Sequence, residues 1–186
     1  MKHLIVWMMV FGFSVGTFAQ KTKQERERGI DQNEMPPAAL QFLEEMPFTP
    51  KRQKFYLEQD GDSRSYESKF KHNKTKYSVE FNPEGQLEDI EVIVEDDFLG
   101  DAVFGKIETY LENNFARHKT EKIQAQYLPP DQTAAFDLKI PNNYEMIVAT
   151  KNDKNKLQKF EMTFNAQGNF ISSRKIERRS YDFLLF

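Results

Sequence analysis

Two hydrophobic periods alternate along the chain. Behind Pro36-Pro37, the residues Ala39, Leu40, Leu43 and Met46 recur at helical spacing, and Pro47 and Pro50 close the segment, which predicts a short, half-buried helix. The period then falls to two. Gln53 to Gln59, Arg64 to Phe70, Thr75 to Phe81 and Gln86 to Glu95 read as strands, separated by Asp60-Gly61-Asp62-Ser63, Lys71-His72-Asn73-Lys74 and Asn82-Pro83-Glu84-Gly85. Connections this tight require antiparallel neighbours. The pattern then restarts with a helix over Asp101 to Phe115, capped by Asp101 and striped by Phe104, Ile107, Leu111 and Phe115. Strands follow at Lys119 to Tyr127, Tyr144 to Thr150, Leu157 to Phe164 and Asn169 to Glu177.

The two halves match in order. Tyr77 to Leu87 aligns with Phe160 to Phe170 at an offset of 83, while Phe42-Leu43-Glu44 aligns with Tyr110-Leu111-Glu112 at an offset of 68. The difference places an insertion near residues 128–142. The expected fold is therefore α+β: two tandem repeats, residues 35–98 and 99–186, each a helix packed on a four-stranded antiparallel meander. Ser180 to Phe186 would form an apolar tail on the second. Residues 20–34 hold Lys-Gln-Glu-Arg-Glu-Arg and one large aliphatic, Ile30, and read as a flexible charged leader. Residues 1–19 read as a signal peptide: Lys2, an apolar run from Leu4 to Val15, and small residues at Thr17 and Ala19 where cleavage is expected. That run, about 12 residues, is shorter than the roughly 20 a membrane helix needs. The expected location is periplasmic or secreted.

Three stretches carry a family resemblance: Pro36-Pro37-Ala38-Ala39, Tyr77-Ser78-Val79-Glu80-Phe81-Asn82-Pro83-Glu84-Gly85 and Phe160-Glu161-Met162-Thr163-Phe164-Asn165-Ala166-Gln167-Gly168. A Pro-led helix followed by a meander reading aromatic-x-apolar-x-Phe-Asn-x-x-Gly resembles the PepSY-like family, related to the β-lactamase-inhibitor-protein architecture. The resemblance implies a non-enzymatic exported domain with an inhibitory or protein-binding role, and it brings no catalytic residues. The insertion near 128–142 departs from the pattern.

Composition narrows the chemistry. Lys and Arg total 26 against 29 Asp and Glu, a net charge of −3 that favours neither nucleic acid nor an anionic membrane as partner. With no Cys there is no disulfide, thiolate or Cys-ligated metal. The turn Asp60-Gly61-Asp62-Ser63-Arg64-Ser65 lacks the glycine and the ligands of a calcium loop, and His72 and His118 stand without ligand-spaced partners. Neither a Gly-framed nucleophile nor a phosphate-binding glycine loop is present. No cofactor, metal or catalytic residue is therefore assigned. Tyr77, Val79 and Phe81, and likewise Phe160, Met162 and Phe164, are expected to face the core. Glu80 and Glu161 would lie on the solvated face, and with Tyr56 and Tyr66 they form the candidate partner-binding set. The expected function is a protein-binding module of inhibitor-like character. The alternative is a carrier of a small apolar ligand, in a pocket lined by Phe55, Phe70, Phe81 and Leu111.

Overall fold

A computed structural model of the chain describes residues 22–23, 25–129, 138–151 and 155–176. The predicted signal peptide, residues 130–137 of the predicted insertion and the tail from residue 177 lie outside the described residues. In chain order the elements are β1 (Thr22–Lys23), β2 (Glu25–Ile30), α1 (Pro37–Glu45), β3 (Lys51–Asp60), β4 (Ser63–His72), β5 (Thr75–Phe81), β6 (Leu87–Val94), α2 (Asp101–Asn114), β7 (His118–Tyr127), β8 (Asn143–Lys151), β9 (Leu157–Asn165) and β10 (Phe170–Ile176). Single 3-10 turns at Gln32–Glu34 and Asp96–Leu99 precede α1 and α2. The eight strands expected from alternation are all present, each with bounds within two residues of the sequence reading.

Their assembly differs from the expected α+β pair of helix-on-meander repeats. All ten strands belong to one sheet, in the order β1-β10-β9-β8-β7-β6-β5-β4-β3-β2, and the fold is mainly β, with two α-helices among the described residues. The physical reason is the junction between β6 and β7. These strands pair antiparallel from Ile90↔Tyr127 to Val94↔Ile123, so the two meanders fuse through backbone groups that would otherwise be unpaired edges.

The leader is a second correction. β2 pairs with β3 from Glu25↔Asp60 to Ile30↔Phe55, and β1 pairs parallel with β10 at Thr22↔Lys175 and Lys23↔Ile176. The segment buries little apolar surface, as its composition dictates; backbone pairing to an available edge, together with the Glu27–Lys69 ion pair at 2.7 Å, orders it instead.

Both helices lie on the same face of the sheet. Val79, Phe81, Ile90, Met146, Val148 and Phe164 are fully buried there, with Ala39, Ile107 and Leu111 supplied by the helices. Phe42 of α1 meets Phe81 edge-on with ring centroids 5.7 Å apart, and Tyr110 of α2 meets Phe164 edge-on at 5.5 Å. These pairs repeat the sequence offsets of 68 and 83 inside the single sheet. The turn after each Phe also recurs. Asn82 Oδ1 accepts from the Gln86 amide at 2.9 Å, and Asn165 Oδ1 accepts from the Asn169 amide at 2.9 Å. The closing glycines have φ of +81° at Gly85 and +76° at Gly168, a region that disfavours side chains.

Candidate functional site: the charged inner face of the sheet

Alternation sends every second side chain to the face opposite the helices, and there the sheet curls on itself. One cavity of about 1030 Å³ is lined by residues from each strand from β2 to β10. Ten carboxylates and eight Lys or Arg side chains line it, so this face sorts charge rather than apolar surface.

Three sub-sites build it. At one wall, Lys69 Nζ lies 2.7 Å from Glu27, 2.7 Å from Glu67 and 3.6 Å from Glu58, with the Tyr56 ring centroid 5.0 Å away. Burial by itself would lower the Lys69 pKa, but the adjacent Glu67 charge and hydrogen bonds to Glu27 and Glu67 raise it, so the ammonium is locked in its charged form. The same three carboxylates have oxygens within 4.8 Å of one another, a spacing compatible with a metal ion. Lys69 already serves them as counter-ion.

Two residues beyond Glu58 along β3, Arg174 of β10 donates from Nε to Glu161 at 2.9 Å and from Nη1 to Asp60 of β3 at 3.0 Å. It ties the last long strand to the first. On the strands beyond Glu67, Glu80 and Asp89 stand opposite each other in the β5–β6 ladder. Asp89 Oδ2 accepts from Gln126 Nε2 at 2.8 Å, while Asp89 Oδ1 is buried without a hydrogen bond among the described residues. Burial foremost, then the charges of Glu80, Glu145 and Glu88, push the Asp89 carboxyl up to about 7, against the opposing pull of the Gln126 bond.

This carboxyl makes stability depend on pH. The unfolded chain ionises Asp89 near its ordinary 3.8, whereas the folded chain does so at about 7. Between those values the native state holds more protons, so the stability falls as pH rises through this window and levels off above it. Asp89→Asn keeps an acceptor for Gln126 and adds a donor beside Glu80. It is expected to gain about 1–3 kcal/mol at pH 8 and almost nothing at pH 4. Urea titrations at the two pH values measure the difference.

Of the four candidate residues read from sequence, three reach this face. Glu80 lines the cavity half-buried, Tyr56 lies beneath Lys69, and Glu161 sits at its wall. Glu161 departs from the expected solvated position: it is 3% exposed, because Arg174 covers it. Tyr66 is on the helix side, half-buried between its ladder partners Leu57 and Phe81. Sequence reasoning missed Lys69, Asp89 and Arg174. Lys69 and Arg174 carried the right parity for the polar face, but only the register across strands identifies their partners.

The four residues expected to line an apolar ligand pocket are divided between core and surface hollows. Phe81 and Leu111 are fully buried, Phe70 is 4% exposed, and Phe55 packs against the same cluster. Phe81 and Leu111 are enclosed in the core between helices and sheet, whereas Phe70 also borders the charged cavity and Phe55 a second hollow beside β2, so the four residues do not share one pocket.

No protein-family model and no curated protein matches the chain. Solved structures do. A candidate periplasmic protein from Bacteroides eggerthii is 14% identical with a TM-score of 0.53, covering 80% of this chain and 94% of its own. A DUF2874 family protein from Bacteroides ovatus is 18% identical with a TM-score of 0.51, covering 76% and 89%. A BLIP-like protein from Bacteroides fragilis is 14% identical with a TM-score of 0.50, covering 78% and 90%. At these identities the likeness establishes architecture, and this chain shares the fold of BLIP-like and DUF2874 family proteins from Bacteroides.

Proposed function

We propose that the protein is an exported, non-enzymatic, protein-binding module that acts from the periplasm or outside the cell and receives its partner on the charged inner face of the sheet. The observation that carries this reading is the cavity of about 1030 Å³ whose wall is built mainly of fixed charges. Arrays of positioned acids and bases select a complementary protein surface and speed its encounter. Tyr56, Glu80 and Glu161 would contribute directly, and Tyr66 would support the strand from the other side. The fold shared with BLIP-like and candidate periplasmic proteins supports the location and the inhibitor-like character, as does the PepSY-like pattern of the Asn82–Gly85 and Asn165–Gly168 turns.

Affinity capture from an envelope extract tests the reading. The native chain should enrich a discrete protein that Glu80→Lys combined with Lys122→Glu, which reverses two charges in the cavity, fails to retain. Equal retention by the variant, or no enrichment over a denatured control, overturns it.

A further inference from the structure

The two ends of the strand order are neighbours in sequence. β1 lies against β10 at one end and β2 against β3 at the other, yet a single residue separates β1 from β2. β1 and β2 therefore pair with the last and the first long strands respectively, which the Arg174–Asp60 ion pair at 3.0 Å also links.

This segment is held differently from the rest of the sheet. Arg26, Glu27, Arg28 and Gly29 are exposed, and Ile30 is half-buried, whereas β8 and β9 bury Met146, Val148, Phe160 and Met162 under the helices. β2 is held by one ladder of six residue pairs, by Ile30 packing against the edge of the core, and by two ion pairs, Arg28–Glu34 at 3.6 Å and Glu27–Lys69, in the second of which both side chains are about two-fifths exposed. Ion pairs of this exposure are weak and screened by salt. Just beyond the strand the chain is anchored: the Asp31 amide donates to Glu34 at 2.9 Å, Met35 is 3% exposed, and Pro36 packs on the Gly85 turn. A change of direction is thus confined to the neighbourhood of Asp31.

We propose that β2, with β1 ahead of it, is a releasable strap in the wall of the charged cavity: lifting from β3 and β10, the strap opens the cavity and exposes the β3 edge. Its consequence for access rests on the reading of that face as the binding site; its motion does not. Segments with few buried apolar contacts open at far lower free energy than core strands.

Hydrogen–deuterium exchange on the full chain, with no partner present, tests the motion. Amides of β2 should exchange at least about 100-fold faster than those of β8 and β9, and raising salt from 0.05 to about 1 M or introducing Lys69→Gln should increase the rate further. Exchange of β2 as slow as that of β8, or unmoved by both salt and Lys69→Gln, overturns the strap. A lock tests access. Arg26 and Gln59 face each other in the ladder of a chain without cysteine, so Arg26→Cys with Gln59→Cys meets the spacing a disulfide needs. The oxidised form should protect β2 and capture at least about 10-fold less partner than the same protein reduced. Equal capture by both forms overturns the control of access, and loss of capture by the reduced form as well as by wild type overturns the binding face instead.

Discussion

Phe164→Ala is expected to destabilise the protein by about 3–5 kcal/mol, and Phe81→Ala by a similar amount. Each ring is fully buried at the centre of the helix-bearing face and meets one aromatic from a helix edge-on, Tyr110 or Phe42. Truncation removes the transfer free energy of the ring, opens a cavity that neighbours fill only in part, and forfeits the edge-to-face contact. Set against the 5–15 kcal/mol that holds a typical domain together, that is a large fraction. Phe98, 46% exposed, provides the control, since Phe98→Ala should stay within about 0.5 kcal/mol. Denaturant melts of the three variants distinguish a core position from a surface one.

The second large effect is expected at Gly168. A Cβ there would lie 2.9 Å from the Val103 carbonyl oxygen of α2, and the residue holds a φ of +76°. Gly168→Val thus combines backbone strain with a collision against helix backbone that cannot rotate away, together on the order of 3 kcal/mol. Gly61 separates the two causes: its φ is +63°, but nothing lies within 4 Å of its missing Cβ. Gly61→Val should pay only the strain, about 1 kcal/mol. Equal midpoints for the two variants in a urea titration would mean that α2 does not rest on the Asn165–Gly168 turn.

Strands and helices were legible because side-chain periodicity reports which face a residue takes. The alternation that puts Val79 and Phe81 inward also puts Ser78 and Glu80 outward, and the structure keeps this parity. Edges leave no such trace. Pairing of β6 with β7, and of β2 with β3, is made by backbone groups that every residue carries, so two fused meanders and two separate ones have the same hydrophobic pattern. A charged leader looks unable to order by the measure of apolar burial, but an open strand edge orders it by another. The inner face was only half legible for a related reason. Parity placed Glu161 with the polar set; its burial depends on Arg174 one strand away, and Arg174 in turn on Asp60, 114 residues earlier. Tyr56 and Tyr66 looked alike in sequence but fall on opposite faces, because Tyr56 pairs with Glu67 and Tyr66 with Leu57.

Site-specific photo-crosslinking tests the role of the inner face most directly. A photoreactive side chain at Lys122, which lines the cavity, and another at Glu112, exposed on α2, place one probe on each side of the sheet. In an envelope extract, the Lys122 probe should form a discrete protein adduct that excess unlabelled chain competes away, and the Glu112 probe should form none. A competable adduct from Glu112 with none from Lys122 would move the binding surface to the helices and contradict the account.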